Sequence, residues 1–276
     1  MPSDPLFSAQ AKIRRAKRHL SDLSAEVSAY HGRNPYSIVS DMDSKPGQEL
    51  YRFEFTEPIP CEWGSAVGDI IHNLRTALDT LATALVIANG KTSTSVIKNT
   101  YFPIGATKEV FEKKLPSDLS GASVNARKIV ERLKPYKGGT DAFWRLHQLD
   151  ILDKHTSLIP VGASHTRVLW KVGFAGLFEK MGVTNLSDVP DMAPLALTPT
   201  ETQYPLKNGD VIFAYGFGPD TEGKFKGDFK FTLGIAFGEG QIVDGQPLIP
   251  TLKQFVDFTE RVVNIFARHV FEQKTG

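Results

Sequence analysis

Residues 62–88 read EWGSAVGDIIHNLRTALDTLATALVIA. Trp63, Val67, Ile70, Leu74, Leu78, Leu81 and Leu85 recur at intervals of three and four, which places them on one stripe of an α-helix. Gly90 supplies the stop just beyond. The opposite stripe carries Asp69, His72, Thr76, Asp79 and Thr83, with Arg75 beside it. No Lys or Glu occurs between Ala66 and Asn89. A solvated helix face usually carries those residues, so this polar face is expected to meet another protein surface or a ligand.

Other helices extend outward from this one. Asp4 and Pro5 open a first helix whose heptad seam is Leu6, Ala9, Ile13, Ala16, Leu20, Leu23, Val27 and Tyr30. It ends near Gly32. Residues 31–48 read as a polar loop. Tyr51, Phe53 and Phe55 alternate with polar residues as a half-buried strand, which Pro58 and Pro60 close. Shorter helices are expected over 107–115 and 124–133, the latter stopped by Pro135, and another from Thr140 or Asp141 to Lys154 or His155.

Beyond residue 156 the period changes to two. Val168, Trp170, Val172 and Phe174 form one strand face. Val211, Phe213, Tyr215 and Phe217 form a second, preceded by an Asn208–Gly209 turn. Phe229, Phe231, Leu233, Ile235 and Phe237 form a third. No helix-length segment separates the last two, so antiparallel pairing between them is expected. Residues 175–205 carry Pro190, Pro194, Pro199 and Pro205 and read as an excursion, with a helical turn at Leu177 to Met181. A final helix begins at Pro250 and Thr251, where Thr251 and Gln254 have capping-box spacing.

The fold class expected is α+β: a long-helix bundle packed with a mainly antiparallel sheet and a C-terminal helix. Residues 1–156 form a helical part with one early strand. Residues 157–276 form the sheet plus the closing helix. If the strand at 50–57 joins that sheet, the two parts make one integrated domain.

Composition narrows the function. Lys plus Arg is 32 and Asp plus Glu is 31, a net charge of +1. No global field draws the chain to nucleic acid. Its one cysteine, Cys61, cannot form an intramolecular disulfide and reads as structural. The first residues lack the order of a signal peptide, and the apolar run from Leu81 to Ala88 is too short for a membrane span. A cytoplasmic protein with no membrane partner is the expectation.

Chemistry is concentrated on two helices. On a helical wheel, Asp150 and Asp153 fall within the arc of Phe143, Leu146 and Leu149. An ionised carboxylate on an apolar face needs a partner. His155 follows where the helix ends and the chain turns toward the strands. The candidate cluster is therefore Asp69, His72, Arg75, Asp79, Asp150, Asp153 and His155. Buried Arg–Asp and His–Asp pairs that only orient helices are the plainest explanation of such a cluster. A small-ligand or metal site is the functional one. Asp69 and His72 stand one turn apart, as ligands do in carboxylate-bridged bundles, yet the paired Glu-x-x-His motifs of those sites are missing.

Two alternatives stand beside it. HEPN-type ribonucleases resemble this helical layout and use an Arg followed by a His four to six residues on; Arg14 and His19 have that spacing. As a hydrolase of that kind the chain would be an enzyme, although the pair reads first as a solvated basic face with Lys12, Arg15, Lys17 and Arg18. The heptad seam could instead make a homo-oligomer. Walker A, dinucleotide-binding, zincin and nucleophile-elbow signatures do not occur. Gly216 to Gly218 reads as turn chemistry.

The segment GDIIHNLRTALD at 68–79, followed by LHQLD at 146–150 and DKH at 153–155, resembles an uncharacterised family of bacterial proteins. That family has a GDxxHNLRxxLD helix before a DKH segment; the FPI at 102–104 and the strand-then-helix C-terminus are also similar. The resemblance implies no cofactor, partner or activity. It points to the same residues as the helical wheel.

Overall fold

A computed structural model describes residues 4–42, 48–156, 158, 160–164, 168–171, 195–197, 205–216, 228–230, 233–238 and 242–272. Its class is α+β, with seven α-helices and small antiparallel ladders among the described residues. The chain divides into two compact units that interleave along the sequence. One takes Met1–Ala29, Pro60–Pro160 and Phe237–Gly276; the other takes Tyr30–Ile59 and Val161–Ala236. The early strand therefore sits with the later strands, and the closing helix with the earlier helices.

The first unit is helical. Helix α1 (Phe7–Gly32) starts where expected, with the Leu6 N–H donating to Asp4 Oδ1 at 2.8 Å. Its seam is buried at Leu6, Ala9, Ile13, Ala16, Leu23 and Val27, and half-buried at Leu20. Helix α2 (Glu62–Ala88) has its whole apolar stripe buried. Trp63 Nε1 donates to Glu26 of α1 at 2.9 Å. Gly90 adopts φ +79°, the left-handed conformation in which glycine ends a helix without a Cβ clash. Short helices α3 (Thr94–Lys98), α4 (Lys108–Asp118) and α5 (Val124–Leu133) follow, and α3 has no counterpart in the sequence expectations. Thr107 and Ser123 cap α4 and α5 by accepting the Val110 and Ala126 N–H groups.

Helix α6 (Asp141–His155) and helix α7 (Leu248–Phe266) both pack on α2. Phe143 of α6 stacks on Phe102 at 5.3 Å and meets Phe258 of α7 edge-on at 4.7 Å. Lys17 of α1 and Glu260 of α7 form an exposed ion pair at 2.6 Å. A π-helical turn, Ala267–Phe271, ends the element. The capping box expected at Thr251 is not formed. The helix begins earlier, at Leu248, and Thr251 is a buried interior residue whose N–H donates to the Pro247 carbonyl at 3.1 Å. Pro250 is tolerated because a first-turn N–H has no intrahelical partner to lose.

The second unit is built of strands. Strand β2 (Gln48–Phe55) lies between β1 (Tyr36–Met42) and β6 (Val211–Gly216), antiparallel to both. Strand β1 lies within the stretch 31–48 read as a loop. Its polar residues hid the period, but pairing brings Tyr36 opposite Phe55 and Ile38 opposite Phe53. Phe53 is wholly buried with Leu206 and Leu233. Strand β4 (Val168–Lys171) lies between β5 (Leu195–Leu197) and β7 (Asp228–Lys230). Strand β3 (Pro160–Ser164) pairs with β8 (Leu233–Phe237).

Two sequence expectations change here. The alternating set at 229–237 is two strands, β7 and β8, in different ladders; alternation persists when a chain changes partners and so cannot reveal the change. Among the described residues, strand β6 pairs with β2 and not with the strand that follows it, so the connection's length did not choose the partner. Val172, Phe174, Leu177 to Met181, Phe217, Gly218 and Phe231, with most of 175–205, lie outside the described residues. Among those described, no helix is long and apolar enough to cross a membrane.

The turn before β6 is the one the sequence marks. Asn208 Oδ1 accepts the Phe55 N–H at 2.7 Å, the Gly209 N–H donates to the Phe53 carbonyl at 2.8 Å, and Gly209 has φ +86°. A Cβ at Gly209 would meet open space, so only backbone conformation opposes a side chain. We expect Gly209→Ala to lower unfolding free energy by about 1 kcal/mol, and Gly209→Asn by less, in urea titrations followed by circular dichroism.

Candidate functional site

Seven residues of the cluster belong to α2 and α6, and the structure sorts them into two hydrogen-bonded groups and a remainder. The first group surrounds Arg75, whose side chain is 9% exposed. A buried guanidinium must find acceptors for its fixed fork of donors. Nη1 donates to Asp79 Oδ1 at 2.8 Å, one helical turn along α2. Nη2 donates to the Phe102 carbonyl at 3.1 Å. Nε donates to His147 Nδ1 of α6 at 3.3 Å. Asp79 Oδ1 also accepts the Phe102 N–H at 2.9 Å. Arg75 and Asp79 together therefore satisfy both backbone groups of Phe102 and fasten the 102–104 segment to α2.

Electrostatics follow from this burial. Desolvation pushes the Asp79 carboxyl up, against the opposing pull of Arg75 and of the Phe102 N–H. Desolvation, then the charges of Arg75 and Lys114, bring the His147 imidazole down to about 4. His147 is therefore neutral at pH 7. Because Nδ1 accepts from Arg75, its proton resides on Nε2.

The second group opens to solvent. Asp150 of α6 is 4% exposed, yet both carboxylate oxygens are engaged by half-exposed side chains. Oδ1 meets His72 Nδ1 at 2.9 Å, and Oδ2 accepts from Lys154 Nζ at 2.6 Å. A carboxylate can only accept, so Nδ1 carries the proton, and Nε2 is left 3.4 Å from the Thr76 hydroxyl. Asp153 lies over Gly68, where a Cβ would collide with its carboxylate. Its carboxyl is pushed up by burial first, then by Asp150 and Asp69, with His72 and Lys154 opposing.

The remainder is spread out. Asp69 is exposed; its charge bears on Asp153, while its backbone carbonyl accepts from Asn73. His155 is exposed at the end of α6 and joins neither group. His147 and Lys154 were absent from the sequence candidates. Lys154 stands four residues after Asp150, a spacing that permits an ion pair. His147 precedes Asp150 by three and so shares its face. The Phe102 backbone had no sequence signal. Arg14 is exposed on α1 with its guanidinium over the Phe7 ring, and His19 accepts from Arg15 Nε at 3.3 Å. Cys61 is exposed. Among the described residues, no three His, Cys, Asp or Glu side chains are grouped to hold a metal ion.

Comparison of the chain with models of protein families, with curated proteins and with solved structures gave no match.

The His147 environment makes a pH prediction. Its folded pKa, about 4, lies below the unfolded value of 6.5. The unfolded state thus takes the proton first on acidification, and stability falls between about pH 6.5 and 4. The gap sets a ceiling of about 3 kcal/mol, and partial solvent contact brings the expected loss to about 1–2 kcal/mol. Asp79 and Asp153, raised, contribute in the opposite sense above the ordinary carboxylate range. In the His147→Gln variant, which keeps an acceptor for Arg75, unfolding free energies should vary less over that interval than in the wild type.

Proposed function

We propose that the exposed face of α2 and α6 around His72 binds a small polar ligand, with the His72 imidazole as the proton-exchanging group. One observation carries this reading: a carboxylate buried to 4% exposure holds a half-exposed imidazole by Nδ1. Such a partner fixes the tautomer and the ring orientation, leaving Nε2 on the exposed side beside the Thr76 hydroxyl at 3.4 Å. A helix surface gains little from ordering an exposed histidine in this way. Lys154 supplies a cation and Asp153 a carboxyl that takes a proton more readily than usual. A ligand carrying both an acceptor and a donor suits that set.

The Arg75 group has a different part. Its guanidinium donates to Asp79, to His147 and to the Phe102 carbonyl, and so fastens α2 to α6 and to Phe102. We assign it to architecture, as the frame that holds the Asp150 backbone in place. A ribonuclease reading would need Arg14 and His19 to act from a solvated face, and an assembly reading would need a seam that is largely buried within the chain. The His72 site has more support than either.

The reading is tested by nuclear magnetic resonance. Nitrogen-resolved spectra should show His72 protonated on Nδ1 when neutral. A library of small carboxylates, phosphates and amines should contain members that shift His72 and Lys154 together, and His72→Ala should abolish those shifts while leaving the fold intact. If no member moves either residue, the His72–Asp150 pair is architectural. Gly68→Ala adds an independent check. Its Cβ displaces the Asp153 carboxylate, so the Asp153 titration should move down toward the ordinary range. Stability should change by less than about 1 kcal/mol, because the gain in helix propensity offsets the displacement.

A further inference from the structure

Helices α4 and α5 leave between them a cleft of about 680 Å³, within the roughly 300–1,000 Å³ typical of small-molecule sites. Its apolar lining is Phe111, Leu115, Pro116, Val124 and Tyr136, with Val124 exposed and the Phe111 and Tyr136 rings 5.6 Å apart. Its rim is basic. Arg127, Lys128 and Lys134 line it, and among the described residues none of the three is in an ion pair. Of the two carboxylates present, Glu112 is engaged by Lys108 at 3.5 Å, which leaves Glu131 against three cations.

Lys134 adds a second, independent observation. It terminates α5 with φ +49° and ψ +58°, the left-handed conformation that most side chains avoid and that glycine commonly supplies at this position. Its backbone is held there by three hydrogen bonds. The N–H donates to Glu131, and the carbonyl accepts from Tyr136 and Thr140, both at 2.8 Å. The turn needs this conformation but not a lysine. Strain of this kind is kept where the side chain has a use, and this side chain lines the cleft.

We propose that the α4–α5 cleft binds a small organic anion with an apolar body. Val124 and Tyr136, backed by Phe111 and Leu115, take the apolar part, and Lys134, Arg127 and Lys128 meet the acidic group. The site is separate in sequence and in lining residues from the His72 face and does not rest on it.

The test uses the full chain and two fluorescent probes: anilinonaphthalene sulfonate and its uncharged phenylnaphthylamine counterpart. The wild type should bind the sulfonate more tightly than the neutral compound, and added salt should narrow the difference. Lys134→Gly should weaken sulfonate binding about tenfold, the worth of one charge-assisted contact, while its melting temperature stays level or rises because the strain is relieved. The double variant Arg127→Gln, Lys128→Gln should weaken it further without touching the turn. Wild-type affinity in Lys134→Gly, equal binding of the neutral probe, or no binding by the wild type would each overturn the proposal.

Discussion

A guanidinium taken out of water must be met by acceptors on all sides, and the arrangement of α2, α6 and the 102–104 segment follows from meeting Arg75. Its three directions reach three different pieces of chain: Asp79 on its own helix, His147 on α6 and the carbonyl of Phe102. Removing any one would leave buried donors unpaired, at a cost of about 1–3 kcal/mol or more for a charged group. The register of α6 against α2 is therefore specified by geometry as well as by apolar fit, and the Phe102–Phe143 stack lies beside it. Asp150, three residues after His147, inherits its position from that register.

The two polar groups are chemically distinct although they share helices. Around Arg75 the ionisable side chains face inward, and burial suppresses the charge of His147 and raises the Asp79 carboxyl. Around Asp150 the carboxylate is buried and its partners are not. Fields connect them: the Asp150 charge bears on Asp79, His147 and Asp153.

Helix periodicity was legible because each long helix here buries a stripe. The bounds of α2, α5 and α6 follow the spacing of their apolar residues, and Asp150 on the Phe143–Leu149 arc is indeed buried. What the residues could not show was partner choice. A strand records its alternation but not its neighbour, so the pairing of β2 with β6 and the division of 229–237 came only from three-dimensional placement. The same limit applies to the site. The seven candidates read as one cluster because a wheel gives direction without distance. Lys154 and His147 complete the two groups, and Phe102 enters through its backbone, to which side-chain pattern is blind.

The interleaved units bear on synthesis. Strand β2 ends at Phe55, while its far neighbour β6 begins at Val211, roughly 160 residues later. At about 5–20 residues per second on a ribosome, the β1–β2 hairpin waits some ten to thirty seconds with one edge unpaired. Open edges recruit other chains. Arg52 and Glu54 place charge on this strand through that interval, and in the finished sheet Arg52 turns the same charge to use by donating to Asp41 and to the Gly209 carbonyl.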